Sequence, residues 1–308
     1  VALCDTTKFT LELFKKMIDV RTYTDFQTML RHEVLDFVII ATPVKFHHIM
    51  IKELLSKNIS VFTEKPFTRN YAEAVELVGL IEESGLTGQV GFVNRYQRIF
   101  DKVKSLLVKG IPGKITGFSC EMYGGVVLRD LGDNWRASKE IAGGGCLMEF
   151  AIHSADMIVN YFGKPDAVTE AKTEQIYSRE VEDKVFAALE YADGLKGVLK
   201  ANWSDPAYRM PSNLIRLEGT NGTLKATEHQ LVLDLKTEQD IYPAGISRYY
   251  ITDFYEPVRI YVGMDIFTLQ MDDFINAMVY KTPNRNTFHS ASETSWLIEE
   301  IYRKASRL

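Results

Sequence analysis

The feature that most constrains this chain is the run LDFVIIA at residues 35–41, which stops abruptly at Thr42-Pro43. A short apolar run of this kind, interrupted only by Asp36, reads as a strand buried on both faces, and such strands belong to parallel sheets covered by helices on each side. The same texture extends from residue 1 to about residue 93. Residues 1–4 read as a strand, and Phe9, Leu11, Leu13, Phe14 and Met17 recur at helical spacing. Residues 47–57 read as a helix, 60–63 (SVFT) as a strand, 71–83 as a helix with Ala74, Leu77, Val78 and Ile81 inward, and 89–93 as a further strand. Strands alternating with helices predict a doubly wound parallel α/β layer.

Beyond a linking helix at 100–108 the pattern changes to longer alternating segments joined by tight turns. Segments 185–191 and 195–203 flank Asp193-Gly194, and 214–217 and 223–226 flank Asn221-Gly222. Asp-Gly and Asn-Gly between alternating runs are strong hairpin signals, because both central residues of the favoured turn need positive φ. An open antiparallel sheet is expected, with helices at 147–161, 266–281 and 291–307. The fold class is therefore α/β followed by α+β, with domains at 1–95 and 96–308; two domains also suit 308 residues at about 100 to 200 per domain.

Lys+Arg of 36 against Asp+Glu of 41 gives a net charge of −5 with no basic run, which disfavours nucleic acid and anionic membranes and favours a small molecule. The apolar runs fall far short of the roughly 18 residues that span a bilayer, and no signal-peptide pattern opens the sequence, so a cytoplasmic location is expected. Cys4, Cys120 and Cys146 lack CxxC spacing, so neither a disulfide framework nor a zinc site is expected.

Two clusters can carry chemistry. Thr42-Pro43, His47 and Thr63-Glu64-Lys65-Pro66 follow buried strands, at the carboxyl edge where open α/β sheets take their ligands. The alternative is that the prolines merely stop strands while Glu64 and Lys65 form a solvated pair. Trp135-Arg136 precedes Gly143-Gly144-Gly145 and a helical stretch with Glu149 and His153 four apart, on one helical face. A carboxylate beside an imidazole orients the ring and raises its pKa; the alternative is an ordinary helix pair. Asp156 alone stands near as a further metal ligand, so no metal site is expected. A third group, Asn202-Trp203-Ser204-Asp205 with Tyr208 and Arg209, could hold a sugar ring or an anionic substituent, or be a sheet-edge turn around a packed Trp.

In order, ATP-x-x-x-His, Glu-Lys-Pro, Trp-Arg and the triple glycine with an acid and a histidine four apart resemble the Gfo/Idh/MocA oxidoreductases, over essentially the whole chain. The resemblance implies an N-terminal Rossmann domain for NAD(H) or NADP(H), and a C-terminal domain whose open sheet often packs on that of a second subunit. It also implies hydride transfer at a secondary alcohol of a sugar, polyol or nucleotide sugar. Lys65, His153 and Glu149 would be the catalytic residues, with His153 as the proton acceptor. Asp5, Thr42, Pro43, His47, Glu64, Lys65, Asn94, Arg95, Trp135 and Arg136 would meet the cofactor. Lys65, Tyr123, Arg136, Glu149, His153, Trp203 and Arg209 would meet the substrate. An acid at position 5 favours NAD over NADP by repelling a 2′-phosphate, unless Asp5 is instead a cap for the helix that follows.

Two departures from the family pattern stand out. Glu149 stands where many members have aspartate, and no GxGxxG precedes Asp5, although the fingerprint is expected about 20 residues upstream. The chain thus reads either as a shortened version of a longer enzyme with roughly 25 to 35 more residues upstream, or as a divergent member that has lost cofactor binding. In the first case the parallel sheet lacks its first strand and glycine loop, and these residues alone are expected to be unstable or to bind NAD poorly. The competing function is a non-catalytic sugar-binding or assembly subunit. A homodimer or homotetramer through the C-terminal sheet is expected, because Val198, Ala201, Trp203 and Leu214 offer an apolar face with few helices to cover it.

Overall fold

The computed structural model describes residues 1–130, 132, 134–261 and 265–306. The first half runs β1 (Ala2–Cys4), α1 (Lys8–Met17), β2 (Arg21–Tyr23), α2 (Phe26–His32), β3 (Phe37–Ile40), α3 (His47–Ser56), β4 (Ser60–Thr63), α4 (Tyr71–Ser84) and β5 (Gly88–Val90). All its pairings are parallel, in two separate ladders, β1-β2 and β3-β4-β5. Among the described residues no strand bridges the two ladders, and Ile39 in the middle of β3 stays 51% exposed. β4 is buried along its whole length, as its apolar run predicts. β2 and α2 are too short to carry a clear periodic apolar signal in the sequence. β2 is three residues of mixed character, and α2 is started by a polar cap, the Asp25 carboxylate accepting from Thr28 N–H at 2.8 Å, rather than by an apolar stripe.

The second half contains α5 (Arg98–Val108), β6 (Ile115–Tyr123), α6 (Lys139–Ala142), a π-helical turn Cys146–Ala151, α7 (Ile152–Phe162), β7 (Ala167–Glu174), β8 (Lys184–Glu190) and β9 (Lys196–Asn202). It continues with β10 (Ser212–Gly219), β11 (Gly222–Ala226), β12 (Gln230–Leu235), β13 (Gly245–Tyr250), α8 (Asp265–Tyr280) and α9 (Phe288–Ala305). Arg307, where the last helix was expected to end, lies outside the described residues. One eight-stranded sheet forms in the order β13-β12-β11-β10-β6-β9-β8-β7. Its pairings are antiparallel except β6 with β9, which are parallel because the chain between them crosses over through α6, α7, β7 and β8.

Both expected hairpins form, with turns that differ from the expected type. Between β8 and β9 the loop is 192–194, closed by Tyr191 N–H to the Leu195 carbonyl at 3.0 Å, and Gly194 alone takes positive φ, at 90°. That is a three-residue loop ending in a left-handed glycine. Between β10 and β11, Gly219 pairs with Gly222, so Thr220-Asn221 makes the turn and Gly222 already belongs to β11.

Strand parity corrects the expected apolar face. Leu199 and Ala201 of β9 point into the core, while Val198 and Lys200 stay half-buried on the other side. Trp203 is 1% exposed, its indole N–H donating to Asp183, so this ring is core and is not open to a substrate or a subunit. α7 packs on β6, α9 on β7, and the two helices pack on each other. The other face leaves Phe186, Ala188, Val198 and Leu214 half-buried and holds an open cavity of about 460 Å³ lined in part by Ser119, Lys196, Val198 and Arg216.

The two halves are pinned by charge and by aromatic packing. Arg95, in the turn after β5, grips Asp156 of α7 through two bonds of 3.0 and 2.6 Å, and its remaining nitrogen donates to the Arg285 carbonyl and Ser290. Phe274 of α8 packs edge-on against Phe37 and Phe62 of the parallel layer, at 5.3 and 5.8 Å. Removing one partner of a buried pair strands the other charge, so Arg95→Ala should lower the unfolding free energy by about 3–5 kcal/mol in urea titration. Replacing Arg95 and Asp156 together with apolar residues should cost clearly less than Arg95→Ala alone.

Candidate active site

Where β3 and β4 release the chain, Ala41-Thr42-Pro43-Val44 and Glu64-Lys65-Pro66 form one wall of a cavity of about 360 Å³. Trp135, Arg136 and Glu149 of the second half form the other. The site therefore sits at the carboxyl edge of the parallel strands, as the placement of the two prolines predicts. The Arg136 guanidinium stacks 4.5 Å from the Trp135 ring, a rigid pairing that presents a cation and a flat apolar face to the same space.

Lys65 and Glu149 meet across this cavity. Lys65 Nζ donates to the Glu149 main-chain carbonyl at 2.9 Å and stands 3.8 Å from its carboxylate. Their side chains are 20% and 11% exposed, so the ammonium is reachable yet largely desolvated. Glu64 accepts from the Lys65 main-chain N–H at 3.3 Å; burial pushes its carboxyl above the usual range, with the Lys65 charge opposing.

His153 differs from the expectation. Burial first, and then the Lys65 ammonium, push its imidazole down to about 3, so the ring is neutral at physiological pH. Its Nδ1 is buried without a partner, which leaves Nε2 as the nitrogen open to a ligand. The predicted rise in pKa fails because Glu149 lies in the π-helical turn and turns to Lys65 instead of pairing with the ring. Spacing of four implies a shared face only in a regular helix.

Other predicted contacts are re-sited. His47 is fully buried, its two ring nitrogens each 2.8 Å from a carbonyl, those of Thr42 and Pro66. Its ring nitrogens face these main-chain carbonyls, so the ring lies between the two wall loops. Arg95 has its guanidinium committed to Asp156, Arg285 and Ser290, so it holds the domain junction and is not free for a ligand. Asn94 is half-buried with an unpartnered Nδ2 and does not line the cavity. The Asp5 carboxylate accepts from Thr7 N–H at 2.6 Å, a turn just ahead of α1. Tyr123 stacks on Tyr208 at 5.3 Å and donates to Glu121, its hydroxyl pushed up to about 12 chiefly by burial, while Arg209 is exposed; neither lines the cavity.

Glu182 and Tyr302 had no sequence signal and stand directly behind the triple glycine. A Cβ at Gly144 would lie 2.0 Å from the Tyr302 hydroxyl, and one at Gly145 would lie 2.2 Å from the Glu182 carbonyl. Close approach is what demands glycine here.

Residues 1–92 match the model of the oxidoreductase family with an NAD-binding Rossmann fold, and residues 100–225 match that of the GFO/IDH/MocA C-terminal domain. The chain belongs to the GFO/IDH/MocA oxidoreductases. It is similar to 2,7-anhydro-N-acetylneuraminate hydratase of Mediterraneibacter gnavus, 25% identical over 68% of this chain and 55% of that one. It is also similar to D-apiose dehydrogenase of Paraburkholderia graminis, 26% identical over 73% of this chain and 60% of that one. The matches thus span little more than half the length of these relatives. A levoglucosan dehydrogenase solved with NADH and L-sorbose shares the fold, with a TM-score of 0.89, 18% identity, and coverage of 99% of this chain and 87% of that one.

Because His153 is neutral in the folded chain down to about pH 3 but takes a proton near 6.5 when unfolded, the unfolded state binds more protons between those values. Stability should fall as pH drops through that window, and His47, also lowered by burial, adds to the fall. His153→Leu should flatten the decline in denaturation followed from pH 7 to pH 4, and an equally steep decline in that variant would refute the assignment.

Proposed function

We propose that this protein is an NAD-dependent dehydrogenase acting on a secondary alcohol or ketone of a sugar, polyol or nucleotide sugar. The observation that carries the reading is Lys65, a desolvated ammonium held at the carboxyl edge of the parallel strands within reach of a neutral imidazole. Thr42, Pro43, Glu64, Trp135 and Arg136 line a space whose mix of flat apolar surface and a few polar groups suits a nicotinamide ring. Bound nicotinamide supplies the hydride chemistry.

The chain's own residues handle charge and the proton. Lys65 Nζ donates to the substrate oxygen and stabilises negative charge as the O–H bond weakens. His153 Nε2 receives the hydroxyl proton in oxidation and returns it in reduction. An imidazolium beside an ammonium is unfavourable, so the proton passes on to solvent, and the Glu149 carboxylate at 3.8 Å from Nζ offsets part of the repulsion. Arg136, exposed at the rim, meets anionic or hydroxyl groups of the substrate. Asp5 at the end of β1 favours NAD over NADP. The open face of the eight-stranded sheet pairs with a second copy, through Phe186, Val198 and Leu214.

Lys65→Ala should cost roughly 100-fold in kcat and leave NAD affinity within a few-fold, because alkoxide stabilisation acts in the transition state. Steady-state kinetics with a panel of sugars and NAD, alongside calorimetric NAD titration, measures both. Unchanged kcat would remove Lys65 from the mechanism. Light scattering at micromolar concentration should give at least a dimer, and Val198→Glu should shift it to monomer.

A further inference from the structure

Glu182 stands between β7 and β8, outside every motif that points to the site. Its side chain is 8% exposed, and among the described residues no cation pairs with it. Main-chain and hydroxyl donors surround it instead. Its carboxylate oxygens accept from Gly145 N–H at 3.2 Å each, and one of them accepts from Leu147 N–H at 2.8 Å and from the Tyr302 hydroxyl at 2.9 Å. Its own main-chain carbonyl accepts from Cys146 N–H at 2.7 Å. One residue thus satisfies the N–H groups that open the π-helical turn, groups which would otherwise be buried without partners. Burial pushes its carboxyl above the usual range, and the bonds from Leu147, Tyr302 and Gly145 work against that rise.

The far side of the same turn is Glu149, whose carbonyl and carboxylate hold Lys65 Nζ. π-helical turns are uncommon and less well bonded than α-helical ones, so their geometry depends on what is tied to them. The close packing of Gly144 on Tyr302 and of Gly145 on the Glu182 carbonyl leaves no room for the turn to slide. We infer that Glu182, backed by Tyr302, is a positioning residue for Lys65: it fixes the turn that carries the Glu149 carbonyl and carboxylate to the ammonium. Its consequence for turnover rests on the proposed role of Lys65; its consequence for the geometry of Lys65 does not.

Two full-chain variants test this. Glu182→Gln removes the carboxylate charge and the second oxygen's acceptance from Gly145 N–H, weakening every bond of the acceptor set while one carbonyl oxygen remains for Leu147 and Tyr302, whereas Tyr302→Phe removes a single donor and keeps the shape. Lys65 reactivity toward an acyl N-hydroxysuccinimide ester, measured by peptide mass spectrometry against exposed Lys57 as an internal reference, reads the grip on the ammonium without any turnover. Glu182→Gln should raise Lys65 labelling about fivefold and Tyr302→Phe about twofold, within the scale of one ordinary hydrogen bond, with Lys57 unchanged. With substrate, kcat should fall about tenfold in Glu182→Gln while KM for NAD stays within about twofold, since Glu149 is the turn's one residue in the cavity wall and the other lining residues lie outside the turn. Lys65 labelling at the wild-type rate in Glu182→Gln, despite a lowered melting temperature, would overturn the inference and make Glu182 a stability residue. If that variant fails to fold, wild-type labelling in Tyr302→Phe overturns it equally. A chain that oxidises no sugar leaves the labelling result standing, and that failure falls on the dehydrogenase reading alone.

Discussion

The buried pair of Arg95 and Asp156 is the interaction on which the rest of this structure depends. It joins the turn after β5 to α7 with two short bonds and draws in the segment before α9 through Arg285 and Ser290. Three residues before Asp156 on the same helix stands His153. Lys65 belongs to the parallel layer and His153 to the second half, so the distance between them is set by how α7 is pinned to that layer. A desolvated guanidinium with nearly all its donors used is a stiff pin, because every alternative geometry leaves a buried charge or carbonyl unpaired.

Charge at the site follows from the same enclosure. Four ionisable side chains, Glu64, Lys65, Arg136 and Glu149, line the cavity, and the Lys65 charge acts on the neutral imidazole of His153. Glu149 and Lys65 share a contact at low exposure, while the imidazole, with burial and a cation against it, is held neutral. The acid of the Glu149/His153 motif is thus coupled to the lysine, and the extra methylene relative to aspartate is compatible with that reach.

Much of this could be read from the sequence, and the parts that could not share a cause. LDFVIIA followed by Thr42-Pro43 and SVFT followed by Glu64-Lys65-Pro66 are local signals, and local chemistry fixes both the strands and the cavity wall they end in. The hairpins at Gly194 and Gly222 were legible for the same reason, although the turn types were not. What escaped is set by partners distant in the chain: the parallel pairing of β6 with β9, the burial of Trp203 against Asp183, and Glu182 under the glycines. The π-helical turn belongs with these. Its residues look like ordinary helix, and only the bonds its N–H groups donate to Glu182 and the contact with Lys65 distinguish it.

The α9 contacts carry a consequence for how the molecule comes into being. α9 lies against α4, with Tyr71 N–H bonded to the Glu299 carboxylate across 228 residues of chain, and Thr287 bridges Gln89 beside β5. A parallel layer whose flank is closed by such distant residues cannot settle as a unit while the chain is still emerging from the ribosome. Loop-closure entropy over that separation must be met before the contact gives anything back, which slows folding and leaves Phe67 without its Phe288 partner during synthesis. For such a chain the period between translation of α4 and arrival of α9 is when chaperones matter most.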